Sequence, residues 1–220
     1  MPTSETPGHD SAPDGAASST STGSASAFAP EAYVEVLTFD GTDLSGIDAV
    51  DSRIIECSFT GTDLSGAELA SSRVSDCTFD AVNASTLDAS SGDWQDVTVR
   101  ASRLGGVQAY GSQWSRVTFE GTKIDYLNLR EARLTDVTFT DCVIGELDLA
   151  SVRGTRMSFV GTRIAQLTLS RATLTRADLR GAELGQITGI TGLKGTTVST
   201  DQFLDLAPLL AAHLGISIQP

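Results

Sequence analysis

An all-β solenoid, folded as a four-sided β-helix with a helical cap at its C-terminal end, is the fold this 220-residue sequence predicts. Every fifth residue from Phe39 to Leu184 belongs to one series of thirty positions, and twenty-five of them are Leu, Ile, Val, Phe or Trp. Four more are Ala (Ala49, Ala84, Ala89, Ala109), and the last is Gly154. Within the series Phe39, Phe59, Phe79, Phe119, Phe139 and Phe159 recur at multiples of twenty residues, and Trp94 and Trp114 are also twenty apart. All 35 charged residues between 39 and 184 avoid both this column and a second column lying two residues before it. Neither a helical nor a strand period separates residues in this way.

Residues 1–27 are mostly Ser, Ala, Thr, Gly and Pro and carry no periodicity, so they are expected to form a disordered tail. The alternating run Tyr33, Val34 and Val36 is expected to open the fold as a first strand, which places the β-helix at residues 28–190. If each pentad turns its central residue and the one two before it inward, the chain must bend once per pentad. Four pentads then close a square. Successive coils pair as parallel strands about 4.8 Å apart. The series 39–184 supplies about seven and a half such coils. Thr and Ser in the second inward column, such as Thr42, Ser52 and Ser72, fit if their hydroxyls bond neighbouring backbone. Gly154, with Leu134 and Leu174 one coil away on either side, predicts a small void or a local bulge, where packing by neighbours is expected in preference to a ligand site.

Residues 191–220 leave the pentad register and are expected to form a cap. Ser199 and Gln202 have the spacing of a capping box, and the helix that follows should end at Gly215. Pro208 within it predicts a kink or two short helices. Phe203, Leu206, Leu210 and Leu214 form one apolar stripe, while Leu204 and Leu209 leave a second apolar side. One side should cover the open end of the β-helix; the other is available to solvent or to a second copy. Ile216 and Ile218 suggest a short closing strand.

The chemistry of catalysis is sparse. The only histidines are His9 and His213, and neither is placed to activate Cys57, Cys77 or Cys142. The expectation is no enzyme, no cofactor and no metal site. Three cysteines without a CxxC pair suit buried free thiols in a reducing cytoplasm. No apolar run approaches the roughly 18 residues that span a bilayer, and the first residues show no secretory signal.

Charge is the more informative feature. The net charge of −13 argues against nucleic acid as a direct ligand and suits a protein partner with a basic surface. Residues 39–96 hold twelve acids and two arginines; residues 97–184 hold nine acids and twelve bases. Asp48, Glu68 and Asp88 share a column, as do Glu56, Asp76 and Asp96. Like charges about 4.8 Å apart repel by roughly 0.9 kcal/mol even at the dielectric of water.

The segments FDGTDLSGIDA (39–49), FTGTDLSGAEL (59–69) and TRADLRGAEL (175–184) resemble the repeat of the pentapeptide-repeat family. The resemblance covers roughly residues 39–190 and implies a right-handed quadrilateral β-helix. It also implies a homodimer, since family members pair through C-terminal helices; here Phe203, Leu204, Leu206, Leu209, Leu210 and Leu214 would form that contact. Some members are DNA mimics that occupy the DNA-gripping saddle of DNA gyrase. By that resemblance the partner-binding acids would be Asp40, Asp43, Asp48, Asp51, Glu56, Asp63, Glu68, Asp76, Asp80, Asp88 and Asp96. The chain differs from those members in having no loop that interrupts the repeats and in placing its acidic half away from the C-terminal end. A structural scaffold with no topoisomerase role is the alternative.

Overall fold

The computed structural model describes residues 21–217; the rest of the expected tail, residues 1–20, lies outside them. Parallel strands stack into a solenoid that ends in a single helix. Two sheets form its walls. A twelve-strand sheet contains a column of nine strands running from Ser21–Thr22 to Thr173–Thr175. A seven-strand sheet runs from Ala67–Glu68 to Glu183–Thr188. Register follows the twenty-residue period: Thr98 lies beside Thr78 and Thr118, Trp94 beside Trp114, and Leu127 beside Leu147.

The inward series is buried, as apolar burial requires, with Leu184 at its C-terminal end half-buried. Its aromatic members stack along the axis, with ring centroids 4.9 Å apart at Phe39–Phe59, 4.6 Å at Phe59–Phe79 and 5.0 Å at Phe119–Phe139. Val99 interrupts the Phe column. There the stack passes through Trp94 and Trp114, 5.4 Å apart, before rejoining Phe119 at 5.7 Å. In the second column several hydroxyls bond backbone as expected, Ser72 donating to Leu69 O, Ser112 to Ala109 O and Thr162 to Phe139 O, whereas the buried Thr62 hydroxyl has no partner. Cys57 and Cys77 also stack in that column, and the Cys57 N–H donates to Cys77 Sγ at 3.4 Å. Both thiols and Cys142 are free and buried.

Four expectations need correction. First, the coils extend beyond the periodic region. Ser21 pairs with Leu37, sixteen residues on, and Asp178 pairs with Thr197, nineteen residues on. Residues 21–27 therefore begin the solenoid, and residues 190–197 still close a coil through the turn Ile190–Leu193 and the strand Thr196–Thr197. Neither offset is twenty, so a period search passes over both. Second, α1 is one helix, Thr200–His213, with Pro208 inside it rather than two short helices meeting there. Third, Ile216 is not in a strand, and Ile218 lies outside the described residues. Fourth, Gly154 leaves no void: a Cβ there would sit 2.5 Å from Met157 Sδ and 2.8 Å from Leu174 Cδ2, so two neighbours already fill the space.

Candidate functional site

The eleven acids of the first coils form a band on both sheets rather than one face. Asp48, Glu68 and Asp88 stack in register along the seven-strand sheet, and Asp43 stacks on Asp63 beside it. Asp40, Asp80 and Asp96 belong to the twelve-strand sheet, while Asp51, Glu56 and Asp76 occupy corners with positive φ.

Local geometry divides the band into three roles. Asp43, Asp48, Asp63 and Asp88 each accept the backbone N–H two residues on, at 2.9, 3.2, 2.9 and 2.9 Å. These carboxylates shape the turn after each strand as well as carrying charge. The Ser45 hydroxyl and N–H hold the Asp43 carboxyl below the usual carboxylate range, and Ser65 does the same for Asp63. Asp80 and Asp96 are neutralised by the next coils: Arg100 reaches Asp80 at 3.4 Å, and Arg116 grips Asp96 through two nitrogens. The remaining acids, and the four turn acids, have no ion-pair partner among the described residues, which leaves nine uncompensated carboxylates.

Farther along, charges alternate. Arg156 holds Asp136 through two nitrogens, with the Nη2 contact at 2.7 Å, and Arg163 holds Glu183 at 2.7 Å. Asp148 was not singled out by the sequence, yet its side chain is only 3% exposed and takes hydrogen bonds from Arg130 Nε at 2.6 Å and Ala150 N at 2.9 Å. Its only sequence signal is its place in the Asp48 column.

At the C-terminal end Gln202 anchors α1. Its side chain completes the capping box with Ser199, and its Nε2 also donates to Leu179 O at 2.6 Å and Ala182 O at 2.8 Å, filling acceptors on the last pentads. Leu206 is buried and Leu210 half-buried; Phe203, Leu204, Leu209 and Leu214 are exposed. The expected stripe is thus split, because the inward direction of the helix centres on Gln202 and Leu206. A groove of about 700 Å³ separates α1 from the edge strand Glu183–Thr188, with Leu184, Ile187, Leu206 and Leu209 among its lining. Among the described residues no cluster of three His, Cys, Asp or Glu could hold a metal, and no helix is long and apolar enough to cross a membrane.

Residues 52–129 match the family model described as a pentapeptide repeat region. Over that stretch the solenoid is similar to the pentapeptide-repeat family. No curated protein sequence matches it. Among solved structures, full-length QnrB1, a plasmid-mediated fluoroquinolone resistance protein, is 21% identical, with 90% of this chain and 96% of that chain covered and a TM-score of 0.37. HetL, a pentapeptide repeat protein involved in heterocyst differentiation regulation in the cyanobacterium Nostoc sp. strain PCC 7120, is 16% identical, with 76% of this chain and 86% of that chain covered and a TM-score of 0.27.

Proposed function

We propose that this chain is a non-catalytic interaction module of the pentapeptide-repeat kind whose acidic band binds a basic protein surface, that of DNA gyrase or another type II topoisomerase. The nine uncompensated carboxylates around the first coils carry the reading. Residues 39–96 have a net charge of −10 over fifty-eight residues. At twenty residues per coil this is about 3.4 negative charges per coil. Duplex DNA carries one charge per ~1.7 Å of axis, or roughly three over a ~4.8 Å coil. A band that wraps the rod, like the phosphates of a duplex, suits a groove that grips from several sides. Nothing comparable supports catalysis: the thiols are buried, and His213 ends α1.

A second copy is the proposed occupant of the C-terminal end. Phe203, Leu204, Leu209 and Leu214 are exposed on α1, and Leu209 lines the groove beside an edge strand, Glu183–Thr188, that pairs on one side only. Two such edges are self-complementary across a two-fold axis.

Inhibition of gyrase supercoiling tests the first reading. Dose-dependent inhibition that fades with salt is expected, and Glu68→Gln with Asp76→Asn should weaken it while raising the melting temperature. No inhibition at low salt would overturn the topoisomerase reading.

A further inference from the structure

Five ion pairs set opposite charges one rung apart on neighbouring coils: Arg73 with Asp93, Asp80 with Arg100, Asp96 with Arg116, Asp136 with Arg156, Arg163 with Glu183. One side of the last coils departs from this. Residues 149–177 hold five arginines and no acid, in a chain whose net charge is −13. Arg156 and Arg163 have partners. Arg153, Arg171 and Arg176 have no carboxylate among the described residues, and neither has Arg133, in register with Arg153 one strand away. All four are exposed on one side of the twelve-strand sheet. Arg133 and Arg153 occupy the middle of that side; Arg171 and Arg176 take the corners before and after the strand Thr173–Thr175, both with positive φ. Thr155, Thr173 and Thr175 add hydroxyls between them. The acids on this side of the same coils are Glu131 and Asp136, and Arg156 holds the second.

We propose that this side binds the phosphate backbone of a nucleic-acid duplex, independently of the acidic band. Guanidinium groups and threonine hydroxyls both donate to phosphate oxygens, and the planar guanidinium fork suits two of them at once. A duplex carries one charge per ~1.7 Å of axis, so the rungs from Arg133 to Thr173, roughly 10 Å, face about six phosphates. A peptide reaches that density only as an unbroken acidic run. No aromatic residue points outward among Arg133, Arg153, Arg171 and Arg176, so bases have no platform to stack on, and the contact is with the backbone of a duplex rather than with a single strand. It reads no sequence and belongs in the non-specific range, roughly 10⁻⁴–10⁻⁶ M at physiological salt. The net charge of the chain does not decide such a contact, because charges act over a Debye length of about 8 Å at 0.15 M. Asp76, an unpaired acid of the band, shares the corner column of Arg156 but lies four rungs away, about 19 Å at ~4.8 Å per rung. The basic side is therefore electrostatically separate from the acidic band.

Fluorescence anisotropy of a labelled DNA duplex of about 20 base pairs with the full chain, at about 0.05 M and about 0.2 M salt, tests this without any topoisomerase present. Four arginine–phosphate contacts predict an affinity that falls roughly a hundredfold between the two. Arg153→Gln with Arg176→Gln removes two contacts, so binding should weaken and the fall should shrink to roughly tenfold. Arg53→Gln with Arg103→Gln changes two arginines that are also unpaired but lie on earlier coils, and should alter neither quantity. These positions are exposed, and circular dichroism checks that each variant folds. No binding at the lower salt would overturn the proposal, as would a salt dependence unchanged by Arg153→Gln with Arg176→Gln, or an equal loss in the Arg53 and Arg103 variant. So would binding of a polyglutamate peptide in preference to the duplex, which would assign the side to an acidic protein.

Discussion

Ala101 and Gly121 sit at the same corner of the rod one coil apart, with φ of 47° and 55°. A Cβ built on Gly121 meets nothing within 4 Å, so the two residues differ there only in conformational cost. Left-handed backbone costs a residue with a Cβ roughly 1–2 kcal/mol, offset in part by the greater freedom of glycine when unfolded. Ala101→Gly is accordingly expected to raise unfolding stability by about 0.5–1 kcal/mol, and Gly121→Ala to lower it by about as much. Urea midpoints at unchanged slope would measure both, and a neutral Gly121→Ala would mean the corner is unstrained. The sequence shows the glycines of this column but not that Asp51, Glu56, Asp76 and Arg116 adopt the same backbone elsewhere. Those side chains look like ordinary surface charges. Their placement at corners becomes visible only when the square is built.

Among the elements, the strands of the periodic region were legible because inward and outward residues differ so sharply. Their lengths were not. The corner residues Thr86, Gly106, Tyr126, Glu146 and Gln166 have ordinary backbone, and there two pentads run on as one six-residue strand such as Asn83–Asp88 or Arg103–Gln108. The start and end of α1 were legible in Ser199, Gln202 and Gly215, since capping and a left-handed stop are local chemistry. Its rotation was not, because apolar residues occupy more than half its circumference and only docking chooses among them. The consequence is an apolar surface large enough to matter: Phe203 is 52%, Leu204 63% and Leu214 71% exposed. Leu209→Asp with Leu214→Asp should convert the proposed dimer to a monomer by light scattering at physiological salt, with the far-ultraviolet circular dichroism unchanged. A mass equal to that of the unmodified chain would remove α1 from the contact.

For the molecule as a whole, the acidic composition does not by itself set the response to pH. Asp96 and Asp136 are held below the usual carboxylate range by Arg116 and Arg156, Asp178 by Arg180, and Asp43 and Asp63 by their serines. A depressed value in the folded state means stability that is present above the unfolded value, near 4, and lost as pH falls through the folded value. Urea midpoints should therefore hold steady from about pH 7 to about pH 5 and fall below about pH 4. A midpoint that climbs on acidification would show that relief of repulsion in the acidic band outweighs the lost pairs. The overall architecture was legible in the twenty-residue period, while the two ends, with offsets of sixteen and nineteen, were not.

The aromatic stack also decides what an optical experiment can see. The chain has two tryptophans, and both lie in the middle of the stack, buried at 3% and 2% exposure. As emitters they sense water only when the central coils open. A solenoid holds each coil through its neighbours alone, so opening begins at the tips. Ellipticity would decline while emission stayed blue, and the two melting curves would part in that order. Their separation measures how far the ends have frayed before the centre yields.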